Sequence, residues 1–269
     1  MFTGGGPDVA TLAWLALSAF VAGMVDAIGG GGGLITVPAL ALAGLDPVAA
    51  VATNKVNATF GTGSSTLAFA RAGRIDLRRM APAAVAAGFG GVAGALALPL
   101  APNALIASAL PLLLVAVAVY FVASPGFGDH DRPVSPKPVW LAVAVPVIGF
   151  YDGIFGPGAG SFYMAAYAGL AGLGAIRASA HTRLTNFASN FGSGLIYIIG
   201  GEVAWLAAIV MAPCQFLGSQ LGARLAMRVG ARLIRPVLVA VSVALAVRLA
   251  SAPGHPLGQW LRGNLPAFF

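Results

Sequence analysis

The sequence predicts an all-α polytopic membrane protein. It predicts two inverted-topology repeats, with broken or re-entrant helices at glycine-rich breaks. Three observations support this: composition, an internal repeat and the placement of loop charge. Hydrophobic residues make up 58% of the 269-residue chain and charged residues 9%, and the mean hydropathy is +0.88. Soluble domains carry about 25% charged residues, so composition argues against a soluble globular fold.

A spanning helix needs about 20 mostly apolar residues. In the first half the candidate segments are Thr11–Ile28, Leu34–Ala43, Pro47–Phe69, Met80–Leu98 and Asn103–Val122. In the second half they are Val139–Phe155, Gly160–Leu173, Ala178–Ile199, Val203–Ala226 and Leu233–Ala250. Leu34–Ala43 and Gly160–Leu173 are short for a crossing, and each follows a break, Gly29–Gly33 or Gly156–Gly160. A short apolar segment after such a break reads as half of a broken helix or one leg of a re-entrant hairpin. Residues Met1 to Val9 hold no Lys or Arg, which a secretory signal needs. The first segment is therefore expected to stay in the protein. Trp140 and Trp205, at segment starts, are read as interface anchors.

The repeat shows in ordered anchors. Asp26 with the break at Gly30 recurs 126 residues later as Asp152 with the break at Gly156. Thr53-Asn54-Lys55-Val56-Asn57 recurs at an offset of 128 as His181-Thr182-Arg183-Leu184-Thr185, and Gly73-Arg74-Ile75 at the same offset as Gly201-Glu202-Val203. Met80-Ala81-Pro82 recurs as Met211-Ala212-Pro213, and Gly91 as Gly222, each at 131. These anchors divide the chain into a first repeat over 1–123, a cytoplasmic linker over 124–138 and a second repeat over 139–269.

Loop charge orients the repeats. The loop with Arg71, Arg74, Arg78 and Arg79 is basic and should be cytoplasmic. Its counterpart at Gly201-Glu202 has no Lys or Arg. One segment later the bias reverses: Pro99–Pro102 is uncharged, whereas its counterpart carries Arg224, Arg228, Arg232 and Arg235. Opposite bias in matching loops is what an inverted-topology repeat produces, and it puts both termini in the periplasm. The net charge of +7 is accounted for by these loops and implies no nucleic-acid partner.

Four charges lie in or beside apolar segments: Asp26, Lys55, Asp152 and Arg183. A charge at the membrane centre costs about 2.5–3.5 kcal/mol on insertion scales. Two readings stand. In the structural one, Asp26 pairs with Lys55 and Asp152 with Arg183, holding each half's broken helix in place. In the functional one, Lys55 and Arg183 attract an anion. The backbone N–H groups of Gly30, Gly31, Gly32, Gly33, Gly156, Gly158 and Gly160 hold its oxygens, and Asn54, Asn57, Thr182, Thr185 and Asn186 complete a cage of donors. Asp26 and Asp152 would orient the cations or carry coupling protons, and His181 could relay protons. With one cysteine, Cys214, there is no disulfide framework or multi-cysteine metal site; no cofactor, metal site or catalytic motif is expected.

The stretches Val25-Asp26-Ala27-Ile28-Gly29-Gly30-Gly31-Gly32-Gly33-Leu34, Ala52-Thr53-Asn54-Lys55 and Gly149-Phe150-Tyr151-Asp152-Gly153-Ile154-Phe155-Gly156-Pro157-Gly158-Ala159-Gly160-Ser161-Phe162 resemble the sulfite exporter family TauE/SafE, also called TSUP, in its YfcA-like branch. The resemblance implies a bacterial inner-membrane secondary transporter of small sulfur-containing anions such as sulfite, sulfoacetate or other organosulfonates. It implies duplicated halves as well. An alternating-access carrier is thus expected, with the lipid bilayer and a small oxyanion as partners and a proton or another ion as the coupling species. An anion channel, a non-transporting scaffold with glycines used only for packing, and a membrane enzyme are the alternatives. Single-channel currents would favour the channel; the scaffold leaves the paired intramembrane charges without a purpose; and no nucleophile–base or metal-spacing motif stands out for an enzyme.

Overall fold

A computed structural model describes residues 8–98, 119, 122–123, 128–132 and 138–250. Among these the chain is helical, with no strand. The helices are α1 (Val9–Gly29), α2 (Gly33–Leu42), α3 (Pro47–Arg71), α4 (Leu77–Ala97), α5 (Pro138–Ile154), α6 (Ala159–Leu170), α7 (Ala175–Ile199), α8 (Trp205–Val229) and α9 (Ala231–Ala250). Nearly all of the expected segment Asn103–Val122, and both chain ends, lie outside the described residues.

Local chemistry sets the helix starts. Asp8, Asp46 and Asp76 cap α1, α3 and α4, each accepting from backbone N–H groups of its first turn: Thr11, Val48 with Ala49, and Arg79. Such a cap is typically worth about 1 kcal/mol. Pro47 opens α3, where its missing N–H would have had no partner.

Among the described residues three helices, α1, α4 and α8, are long and apolar enough to cross a membrane. The 25-residue α3 and α7 are more polar because each carries a row of Thr, Asn and Ser beside its cation. Those rows are buried in protein, so they need no apolar cover of their own.

The two halves are interleaved. α1 packs most heavily on α8, and α4 on α5, while α3 and α7 cross at the centre. Small residues make the approach close. Residues 20 and 24 of α1 meet Gly218 and Gly222 of α8, and residues 146 and 150 of α5 meet Gly90 and Gly94 of α4. Within each pair the helices therefore run the same way. Across the centre the direction is opposite: Lys55 meets Asn190, and Gly63 meets Phe187.

α2 folds back along α1. Gly32 sits against Ala22 and Asp26, and Ala39 and Leu40 share a buried cluster with Leu15 and Ala19. The described part of the linker, 128–132, is stitched to two turns. Ala175 N donates to Gly128 O (2.8 Å) and Arg132 N to Gly172 O (2.8 Å), and Ala231 N donates to Asp129 Oδ1 (2.7 Å).

Candidate functional site

The site is built where the two glycine breaks meet. α1 stops because Gly30 takes φ +78°, a left-handed conformation that side chains with a Cβ resist. Its N–H closes onto Asp26 O at 2.8 Å, and Gly32 N–H returns to Asp26 Oδ1 at 3.1 Å. A Cβ on Gly30 would lie 2.7 Å from Ser161 N and 2.8 Å from Gly160 C, so the breaks touch backbone to backbone. Ser161 Oγ donates to Gly29 O (3.2 Å) across the same contact. At Gly156, φ is +93°, and a Cβ would stand 2.5 Å from Lys55 Nζ. The space that glycine leaves is occupied by the ammonium.

The buried ion pairs correct the structural reading of the sequence. Lys55 Nζ pairs with Asp152 Oδ1 at 2.7 Å, not with Asp26, and Arg183 Nη1 pairs with Asp26 Oδ2 at 3.1 Å, not with Asp152. Partners are exchanged between halves. The reason lies in the central crossing: Lys55 is carried past its own break and lodges against Gly156 of the other, where the nearer carboxylate is Asp152. Asn190 Oδ1 accepts a second bond from Lys55 (3.2 Å), and Asp26 O a second bond from Arg183 Nη1 (2.6 Å). Lys55 is 0% and Arg183 1% exposed. Ions this buried are tolerable only when paired, and stranding one costs about 3–5 kcal/mol.

Beside these pairs lies a polar cavity with about 20 Å³ open to a water's centre, room for about one water. The first half lines it with Asp26, Gly31, Gly32, Gly33, Asn54, Lys55 and Ala58, the second with Asp152, Gly156, Gly158, Gly160, Asn186, Asn190 and Gln215. Other residues proposed from sequence lie elsewhere. Gly30 is used in the break-to-break contact. Arg183 stands behind Gly160 rather than on the cavity wall. Asn57 turns its amide to Met211 Sδ (3.4 Å), Thr182 faces Met164 Sδ (3.9 Å), and Thr185 Oγ1 bonds back to His181 O (3.1 Å). His181 lines a separate cleft of about 760 Å³ with Arg74, Arg79, Tyr167 and Arg177.

Sequence reasoning missed Gln215. It is 2% exposed, and its Oε1 has no hydrogen-bond partner among the described residues. The position 131 residues earlier is Ala84, so the repeat expected from the sequence gave no hint of it. The usable signal was an amide in the apolar run of α8, which carries Gln215 and Gln220. Among the described residues no His, Cys, Asp and Glu cluster could hold a metal ion.

These features define a class: a multi-pass helical membrane protein whose paired charges and broken helices surround a small polar cavity. The chain belongs to the sulfite exporter TauE/SafE family, whose model matches residues 15–249. It is 46% identical over 251 residues to a Sinorhizobium protein named probable membrane transporter protein ORF9, covering 93% of this chain and 96% of that one. It is 39% identical over 206 residues to the Escherichia coli protein named probable membrane transporter protein YfcA, covering 76% and 77%. A Haemophilus influenzae relative, named probable membrane transporter protein, is 38% identical over 213 residues, covering 79% and 84%. No solved structure matches the chain. Family and relatives alike indicate a membrane transporter.

Proposed function

We propose that the chain is a secondary transporter that moves a small sulfur-containing anion across the bacterial inner membrane by alternating access. Sulfite, sulfoacetate and related organosulfonates are the substrate class. The observation that carries this reading is the exchange of ion pairs: each half supplies the carboxylate that neutralises the other half's cation, beside a polar cavity lined by both glycine breaks. An arriving anion competes with Asp152 for Lys55. Asn54, Asn186, Asn190 and Gln215 offer side-chain amides, and the glycine breaks offer backbone N–H groups. Arg183 acts from behind Gly160, holding Asp26 and through it the first break.

Two inverted repeats, over 1–123 and 139–269, would supply the two access states by rocking against each other. The opposite direction of α3 and α7 at their crossing supports this, as does the opposite bias of matching loops. Re-entrant α2 and α6 would then reach the middle of the bilayer from opposite faces, with both termini periplasmic. A cavity sized for one water favours a carrier, closed in this conformation, over an open pore.

The test is uptake and counterflow of radiolabelled sulfite and sulfoacetate in proteoliposomes. Lys55→Ala and Arg183→Ala, each checked for folding by size-exclusion chromatography, should lower saturable flux at least tenfold. Wild-type flux from both folded variants would sink the proposal.

A further inference from the structure

We infer that a proton path runs from the basic cleft to the central site along the α6–α7 interface, through His181, Tyr167, Thr185, Tyr163 and Ser189 to Asp152, and that the proton is the coupling ion. The path takes its coupling role from the transport function proposed above; its existence as a proton route stands apart from that function.

The rungs alternate between two antiparallel helices. On α7, His181, Thr185 and Ser189 are spaced four residues apart, and on α6 so are Tyr163 and Tyr167; residues four apart share a helix face. His181 and Tyr167 meet edge to face, with ring centroids 5.4 Å apart, and both line the cleft of about 760 Å³. Tyr167 faces Thr185, and Tyr163 faces Ser189. Ser189 Oγ donates to Asp152 Oδ2, while Asp152 Oδ1 holds Lys55. Neither tyrosine hydroxyl completes a hydrogen bond to a described residue, although both are buried. A hydroxyl both donates and accepts, so each can pass a proton on directly or through a bridging water.

The second half alone carries this ladder. At the repeat offset of 128, Thr53, Asn57 and Gly61 stand where His181, Thr185 and Ser189 stand; at 126, Val37 and Ala41 stand where Tyr163 and Tyr167 stand. Plain packing of duplicated helices does not require the difference. The groups facing His181 are Tyr167 on α6, Arg177 on α7, Arg79 on α4 and Asp131 of the linker. Those facing Asp152 are Lys55 on α3, Asp26 on α1, Tyr163 on α6 and Tyr197 on α7, with Tyr151 beside it on α5. A proton delivered to Asp152 Oδ2 cancels its charge and frees the Lys55 ammonium for an anion. Release of that proton to the opposite side, once the access state has changed, restores the pair, so one proton crosses the membrane with each anion.

Infrared difference spectroscopy after a pH jump on the purified, lipid-reconstituted protein tests the path without any substrate. A protonated-carboxyl band that Asp152→Asn removes should appear at least tenfold more slowly in Tyr163→Phe and in Tyr167→Phe. Proteoliposomes with an entrapped pH dye and a sulfite gradient give the coupled reading. Both Phe variants should keep sulfite counterflow at equal pH but lose at least tenfold in sulfite-driven acidification. His181→Gln serves as a further variant should either Phe protein fail to fold. Wild-type protonation rates in all folded variants overturn the path. Absence of sulfite counterflow in the wild type, with the infrared result as expected, would overturn only the transport role.

Discussion

Replacing Lys55 with Met strands the Asp152 carboxylate in a site where it is 2% exposed. Removing one partner of a buried pair costs about 3–5 kcal/mol. At about 2–4 °C per kcal/mol for a chain of this size, the melting temperature of detergent-purified protein should fall by about 6–20 °C at pH 8. The informative step is a double-mutant cycle. Lys55→Met with Asp152→Asn removes both charges of one observed pair, 2.7 Å apart, and should recover at least half of the loss. Lys55→Met with Asp26→Asn leaves Asp152 stranded and also strands Arg183, so it should be worse than either single change. Scanning fluorimetry reads the wild type, the three single variants and the two doubles in one plate. Recovery in the Asp26 combination and none in the Asp152 combination would refute the exchanged pairing, and with it the account of how the halves share their charges.

Further perturbations separate the remaining claims. Gly30→Ala forces a side chain into φ +78° and against Ser161 N and Gly160 C, both under 3.0 Å; the melting temperature should drop by more than about 10 °C, or folded protein should be lost, because a tertiary clash adds to the left-handed cost of about 1–2 kcal/mol. Gly73→Ala, at φ +67° with nothing within 4 Å, incurs the left-handed cost alone, and a loss of about 2–8 °C is expected. Gln215→Leu removes an unpartnered buried oxygen at the cavity wall; it should raise the apparent KM for sulfite in proteoliposomes while leaving the melting temperature within about 3 °C, since no existing hydrogen bond of that oxygen is lost. Arg177→Ala breaks an ion pair with Asp131 whose side chains are 50% and 37% exposed while leaving the Gly174 N–H bond to Asp131 in place, and thermal melting should shift by less than about 4 °C, as surface pairs contribute about 0–1 kcal/mol.

Much of the architecture was legible from one strand of text. Helix limits followed from apolar runs and their punctuation: Thr11–Ile28 against the observed Val9–Gly29, and Pro47–Phe69 against Pro47–Arg71. Both glycine breaks and all four buried charges stood out because hydrocarbon rejects them. The identity of each charge's partner was not legible, since it depends on how α3 and α7 pass each other, a relation between distant segments that neither periodicity nor composition encodes. Polar residues were also grouped too generously. Asn57 is two positions from Lys55, about 200° around a helix of 3.6 residues per turn, so it faces Met211 of α8 while Lys55 and Ala58 face the cavity. The same geometry turns Thr185 about 100° away from Asn186, whereas Thr182 shares the face of Asn186 and Asn190 one turn away and meets Met164 Sδ there.

The exchanged pairing also bears on how the protein is made. When ribosomal synthesis has delivered α1 to α4 to the bilayer, Asp26 and Lys55 are already there, and their native counter-charges are not. Asp152 and Arg183 follow only after another hundred or so residues of chain. The nascent first half must therefore wait, held by provisional contacts, by water, or by the insertion machinery at its flank. Completion of the second half is then a locking event, and truncated chains are natural prey for membrane quality control.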